Sequence, residues 1–482
     1  MKTKIFRKRI FSAFLSVLLC LSWLTACGST EEKPTGESSE ATQAVTVSEE
    51  ERLYGDLPTG KYGGYEFNVL QYKETTAATA TVLTEQSDAP IEQAIYERGV
   101  VVEERLGVEF INHLDDLDKT VTLLKNSIAG GLDEYDVYWA HSTTTITNFL
   151  AAGSLLPLDS LEALQFEKPW WDATANEYLT IGDHPYMAFG DINIYLYDFH
   201  STLVFNKDIT DQYREDLYAM VANGTWTMEE FIRLATDTAL PAADGGKTYD
   251  RMGYTGHSHA TMFGFLHGTG VELIVRDENN LPVMESVSET YVDVLTTYNT
   301  LFKDTALCNV QDLEHMATFA AERATFVSCG VGQLGALREE EFHYGLLPFP
   351  KRTVDQKDYI SFVSNQIQPM VIPKTASNTE RTGVVLENLA AESYRTVRPE
   401  YFQILLESKY VRDPESLDIL DRIFAGETRF EMEHIYGWGG FENNVIEALT
   451  GKADRFVSTV EKRGTLVRKG IEETLEYLAV TE

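Results

Sequence analysis

Strand-like and helix-like segments alternate along most of this chain, and that alternation limits its fold more than any other feature. The run Gly64-Tyr65-Glu66-Phe67-Asn68-Val69-Leu70 reads as a strand. A helix is predicted from Pro90 to Leu106, where Ile91, Ala94, Ile95, Val101, Val102 and Leu106 form an apolar stripe and Gly107 can end it. Val108 to Asn112 reads as a strand, Lys119 to Ala129 as a helix and Tyr135 to Trp139 as a strand. The pattern returns with strands at Ser201 to Phe205, Ala324 to Ser328 and Tyr344 to Leu347, and helices at Thr227 to Ala239 and Tyr291 to Phe302. Such βαβ units build an α/β fold with a mostly parallel sheet, because parallel neighbours need a crossover that a helix supplies. From Arg398 onward the chain reads almost wholly helical, and capping boxes are expected at Thr227 with Glu230 and at Ser377 with Glu380.

A length of 482 residues fits two or three domains. The chain has 40 basic against 75 acidic residues, a formal charge of −35, which disfavours nucleic acid as a partner because phosphate binding needs clustered Lys and Arg. A mean hydropathy of −0.21 excludes a multi-span membrane protein.

Lys2, Lys4, Arg7, Lys8 and Arg9 are the only charged residues before Cys27, and an apolar run from Ile10 to Trp23 follows them. A basic start and an apolar stretch too short for a comfortable membrane span are the layout of an export signal. Leu24-Thr25-Ala26-Cys27 then resembles the lipobox of bacterial lipoproteins, which implies a signal peptide over 1–26 and a lipidated Cys27 as the mature N-terminus. Removing those 26 residues leaves 35 basic against 75 acidic residues, a balance of −40. Gly28 to Arg52 holds almost no large apolar residue, so residues 27–60 are expected to be a disordered tether before the folded body. Cys308 and Cys329 are the cysteines left for that body, either as a disulfide or as two buried thiols, and no CxxC or other zinc-like spacing occurs.

Several stretches together resemble the extracellular solute-binding proteins of ABC importers, the family that includes maltose-binding protein. They are Asp136-Val137-Tyr138-Trp139-Ala140-His141 with Gly153-Ser154-Leu155-Leu156-Pro157-Leu158, and Tyr186-Met187-Ala188-Phe189-Gly190 leading to Leu203-Val204-Phe205-Asn206-Lys207. Thr225-Trp226-Thr227-Met228-Glu229-Glu230-Phe231, Glu314 to Phe326 and Gly345-Leu346-Leu347-Pro348-Phe349-Pro350 complete the set. The resemblance implies a two-lobed, type II periplasmic-binding-protein-like fold with a ligand cleft between the lobes and a helical C-terminal region. Lobe 1 would comprise 61–190 and 360–396, and lobe 2 would comprise 191–359 and 397–482, with crossings near Gly190 to Tyr195, Pro348 to Ile360 and Val397. It also implies a monomeric, lipid-anchored receptor on the outer face of the cell membrane, working with permease subunits, with no cofactor and no catalysis. A secreted glycoside hydrolase and a sensor or adhesin are the competing readings; no HExxH, GxSxG or phosphate-binding P-loop occurs.

Binding loops in α/β sheets follow the carboxyl ends of strands, which singles out Tyr72 after the first strand and Trp139, His141, Ser142 and Thr143 after the third. Matched to the family, Trp139 falls on a ligand-stacking tryptophan, with burial at the strand end as the alternative. Ser142 and Thr143 stand where an aspartate and an arginine bind sugar hydroxyls, which implies a ligand other than maltodextrin; both can instead be helix caps. In Tyr195-Leu196-Tyr197-Asp198-Phe199-His200 a strand would place Tyr197 and Asp198 on opposite sides, and either suits a sugar. Trp438, among glycines in Tyr436-Gly437-Trp438-Gly439-Gly440, matches a second stacking tryptophan or packs internally. His257-Ser258-His259 would put two imidazoles on one strand face, as metal ligands or as polar cleft residues such as His259, but no third ligand lies nearby and no metal is expected. Gly330-Val331-Gly332-Gln333-Leu334-Gly335 fits GxGxxG, with Asp355 downstream, and reads either as a dinucleotide grip or as a cleft loop offering Gln333 to the ligand. A sugar or other small polar solute is the expected partner.

Overall fold

The computed structural model describes residues 48–73, 80–245, 247–407 and 411–480. The chain divides after Arg52 into two units. Of the first, residues 48–52 are described: they begin a helical turn in which Ser48 Oγ accepts from the Glu51 N–H at 3.1 Å. Cys27 and the expected signal peptide lie outside the described residues. The second unit already starts at Leu53, seven residues before the expected end of the tether. Tyr54 stacks on Trp170 at 5.7 Å, and the Pro58 carbonyl accepts from Asn388 at 2.9 Å. Apolar partners hold this stretch, which composition alone did not reveal.

The first sheet contains β1 (Tyr65–Tyr72), β2 (Val108–Asp115) and β3 (Val137–Trp139). β1 lies between the other two and is parallel to both, with Tyr65 opposite Val108 and Val69 opposite Val137. The helix Pro90–Leu106 crosses from β1 to β2 and stops at Gly107, whose φ of 67° is left-handed and suits glycine. Its buried face is Ile95, Arg98, Gly99, Val102 and Leu106, while Val101 is exposed, contrary to the apolar stripe. Arg98 is buried because it bridges three segments: it donates to the Thr81 carbonyl, the Ile192 carbonyl (3.1 Å) and Ser393 Oγ (2.7 Å). The helix Leu117–Gly130 joins β2 to β3.

The second sheet is mixed. It contains β4 (Ser201–Asn206), β5 (Leu240–Pro241), β6 (Tyr249–Gly256), β9 (Cys308–Asn309), β10 (Ala324–Gly330) and β11 (Tyr344–Leu347); β7 (Ile274–Arg276) and β8 (Pro282–Met284) form a separate hairpin. β10 runs parallel to β6 and antiparallel to β4, so the carboxyl ends of β6 and β10 and the start of β4 meet at one edge. The helices Met228–Asp237 and Glu289–Phe302 pack against each other over this sheet through Phe231, Leu234, Val294 and Tyr298. Thr227 caps the first as expected, its Oγ1 accepting from the Glu230 N–H at 3.5 Å. The other expected box is corrected: Asn378, not Ser377, caps Thr379–Arg395, and Ser377 donates to Asp133 instead.

β12 (Ser361–Val363) pairs with β14 (Thr428–Phe430), and Val363 also bridges to His200. β13 (Met370–Val371) then joins β3 in the first sheet. The chain therefore rejoins the first sheet by Met370. β14 also interrupts the helical C-terminal region, whose longest helix is Phe456–Val480. Cys308 and Cys329 are free and buried, so the thiol reading holds rather than the disulfide. Among the described residues no helix is long and apolar enough to cross a membrane.

Candidate functional site

At the carboxyl ends of β1 and β3 the polar groups are already paired. Gln71 accepts from the Thr81 N–H at 2.7 Å and reaches Gln368 at 3.4 Å. The Ser142 N–H donates to the Ile367 carbonyl at 2.9 Å, and Ser142 Oγ donates to the Asn365 carbonyl at 2.8 Å. Thr143 Oγ1 donates to the His434 carbonyl at 3.1 Å. His141 is half-buried, and burial, followed by the nearby His434, pulls its pKa down. Tyr72 is half-buried against the core. Gln71, Ser142 and Thr143 clasp the segment 365–368 and the turn near His434.

Neither matched tryptophan offers a face to a ligand. Trp139 is 1% exposed and sits in the first sheet's core with Trp170, Trp171 and Met370. Trp438 is 3% exposed, stacks on Tyr436 at 4.9 Å and donates to Thr474 Oγ1 at 2.7 Å. Gly470 of the last helix lies so close that an added Cβ would meet Trp438 Cδ1 at 2.9 Å. Packing was the alternative for both, and it is what the structure contains.

The segment read as a strand around Tyr197 is a helical turn, Tyr195–Asp198. Side chains there project around an axis, so Tyr197 and Asp198 need not oppose each other. Both join one network at the crossing. Tyr197 donates to Asp191 at 2.6 Å and stacks on Tyr401 at 5.5 Å, while Tyr401 donates to Asp198 at 2.8 Å. Burial raises the Asp191 carboxyl to about 7 against the pull of Arg398, and raises Asp198 to about 6 against the Tyr401 hydrogen bond.

An open cavity of about 710 Å³ lies at the carboxyl end of β10, lined by Leu313, Glu314, His315 and Met316 on one side and Gly332 and Gln333 among those on the other. Of the residues selected from the sequence, Gln333 is the one that lines it. It is exposed, and its amide oxygen accepts from the Gly330 N–H at 3.1 Å, which leaves the amide NH₂ as the donor end. After β10 the chain makes a 3₁₀ turn, Val331–Leu337, rather than the α-helix a dinucleotide grip requires. The Asp198 carboxyl packs beside Gly332, where an added Cβ would lie 2.7 Å from Asp198 Cγ. A carboxylate there opposes a pyrophosphate, so the turn does not suit a dinucleotide grip.

His315 was missed by sequence reasoning. It is 5% exposed, and neither ring nitrogen has a partner in good hydrogen-bond geometry among the described residues, although the Asp312 backbone and the Gln333 side chain lie close enough to favour a proton on it. Burial, then the His257 ring 6.0 Å away, lower its pKa, with Asp312 and Gln333 pulling the other way. Asp312 is held by the Thr255 hydroxyl at 2.8 Å and the Thr318 hydroxyl at 2.7 Å. The sequence signal was weak: His315 opens Glu314 to Phe326, but no spacing marks it. The helix Ser258–Gly268 begins straight after His257, so His257 and His259 do not share a strand face; the His259 side chain lies outside the described residues. Among the described residues no three His, Cys, Asp or Glu side chains are grouped to hold a metal ion.

Two α/β sheets joined by crossings near Gly190 to His200 and near Asn365, with a helical C-terminal region, define the two-lobed fold of extracellular solute-binding proteins of ABC transporters. A family 1 extracellular solute-binding protein from Bifidobacterium longum subsp. infantis superposes with a TM-score of 0.57 at 12% identity, covering 84% of this chain and 100% of that one. A cyclo/maltodextrin-binding protein, solved with maltotetraose, gives 0.54 at 13%, covering 86% and 98%. The GacH receptor of Streptomyces glaucescens, solved unliganded and with acarbose, gives 0.53 at 13%, covering 85% and 99%. At such identities the likeness concerns the fold. No protein-family model matches the sequence, and no curated protein matches it.

Proposed function

We propose that this chain is the substrate receptor of an ABC importer, capturing a carbohydrate between its lobes and delivering it to permease subunits without a chemical step. The observation that supports this most is the open cavity at the carboxyl end of β10, lined from the second lobe by residues 313–317, 332–333 and 335–336, on a fold whose solved neighbours hold maltotetraose and acarbose. In this reading 61–190 with 360–396 and 191–359 with 397–482 act as the lobes. A ligand touching both favours the closed arrangement by its differential affinity. Tyr72, His141, Ser142 and Thr143 would frame the cleft from the first lobe, Ser142 and Thr143 being held by 365–367 and His434. Residues 1–26 would direct export, and a lipid on Cys27 would hold a monomeric receptor at the outer face of the membrane, where its acidic surface keeps it soluble.

The test is a thermal-shift screen against mono-, di- and oligosaccharides. A true ligand at a hundred times its Kd stabilises the fold by about 2.7 kcal/mol. The bound sugar should also be recovered unchanged. No stabilisation by any saccharide would reject carbohydrate as the ligand, and release of a shortened product would reject the receptor in favour of an enzyme.

A further inference from the structure

The cavity at the end of β10 contains a buried imidazole with no partner in good hydrogen-bond geometry among the described residues, and such a group costs stability unless something completes it. Taking the receptor reading above as its basis, we infer that His315, assisted by Gln333, selects the ligand, and that it selects a neutral polyhydroxyl solute over an anionic one such as a sugar acid or sugar phosphate.

Three features of the site point this way. First, no Lys or Arg lines the cavity among the described residues, whereas Glu314 does. The charged and titratable neighbours around His315 are otherwise Asp312 from the preceding loop, His257 from the turn after β6 and Asp198 beside Gly332. An anion entering here meets carboxylates without a compensating cation.

Second, both burial and His257 disfavour charge on the ring. A neutral imidazole presents one N–H donor and one bare acceptor. Adjacent sugar hydroxyls can each donate and accept, so a hydroxyl pair completes both nitrogens. A carboxylate or phosphate dianion offers only lone pairs and leaves the acceptor nitrogen facing them. Third, Gln333 is exposed on the cavity lining with its amide NH₂ as a further donor, and Leu313 and Met316 supply an apolar wall for C–H faces. The described tryptophans, Trp139, Trp170, Trp171, Trp226 and Trp438, are all buried, so selection rests on hydrogen bonds rather than on an indole platform.

Calorimetry at pH 7.5 with glucose, maltose, maltotriose and cellobiose, each beside its uronate or phosphate counterpart, tests the inference. A neutral saccharide should bind about tenfold or more tightly than its anionic partner. His315→Gln should weaken that binding by about tenfold and Gln333→Ala severalfold, and neither should shift the melting temperature of the sugar-free protein by more than a degree or so. Affinity should also fall as the pH is lowered through the imidazole range, because protonation removes the acceptor; a purely structural His315 would leave the affinity profile flat. A uronate or phosphate that binds as well as the neutral sugar overturns the inference and leaves the receptor reading standing. So does a neutral sugar whose affinity is unchanged in Gln333→Ala and His315→Gln. If neither neutral nor anionic saccharides bind, the carbohydrate receptor reading fails and the inference falls with it.

Discussion

The carboxyl ends of the two sheets differ in how their polar groups are used. At the ends of β1 and β3, Gln71, Ser142 and Thr143 spend their hydrogen bonds on Thr81, Gln368, Asn365, Ile367 and His434, and Trp139 is sealed in the core. At the ends of β6 and β10, His315 has no partner in good hydrogen-bond geometry among the described residues, Gln333 is exposed with its amide NH₂ as a donor and the space beside them is open. The same topological position serves as a clasp on one side and borders an open cavity on the other. Strand-end position alone does not distinguish the two; the pairing of the polar groups does.

Substitutions on the two sides should separate accordingly. The largest effect is expected at Trp139: Trp139→Ala should lower unfolding free energy in urea by about 3–5 kcal/mol by opening a cavity in the first core. A stable variant that loses ligand would instead return Trp139 to the cleft.

The next effect concerns pH. Glu387 is fully buried and accepts from the Trp170 and Trp171 indoles at 2.8 and 2.9 Å, and burial raises its carboxyl from 4.5 to about 7 despite those bonds. A carboxyl whose folded value lies above its unfolded one contributes stability that is fully present below 4.5 and lost as pH rises through 7. Glu387→Gln should therefore remove up to roughly 3 kcal/mol of the fall in stability between those limits, measured by denaturant unfolding across pH. An unchanged pH profile would show that the carboxylate is better accommodated than its surroundings indicate.

Ser142→Ala comes third, with a loss of about 1 kcal/mol from the clasp to Asn365. The smallest effect belongs to the open side: Gln333→Ala should change stability by no more than about 0.5 kcal/mol. If Gln333→Ala proved as destabilising as Ser142→Ala, the contrast between a paired and an open strand end would be lost.

Much of the scaffold could be read before the structure was seen. The elements from Tyr65 to Trp139 and the strands at 201, 324 and 344 lie where short apolar runs placed them, because strands covered on both faces are apolar nearly throughout. The turn at Tyr195–Asp198 was misread because four residues are too few to distinguish a period of 2 from one of 3.6. The pairing of β12 with β14 was not legible because β14 lies far along the chain, where no local signal points. The burial of Arg98 carries no local signal, because the carbonyls of Thr81 and Ile192 and the Ser393 hydroxyl, which complete it, come from distant segments.

The sequence by itself determined the α/β class, the order of most strands, the acidic charge and the resemblance to solute-binding proteins, all properties written in local periodicity and composition. It offered a set of strand-end polar and aromatic candidates but could not rank them, and His315 was not among them. Whether Trp139 and Trp438 face a ligand or a core, whether Ser142 is a clasp or a contact, and that His315 borders the cavity were decided by the tertiary structure. Hydrogen-bond satisfaction and burial are sums over atoms brought together from distant parts of the chain, and they come into being only when those parts meet.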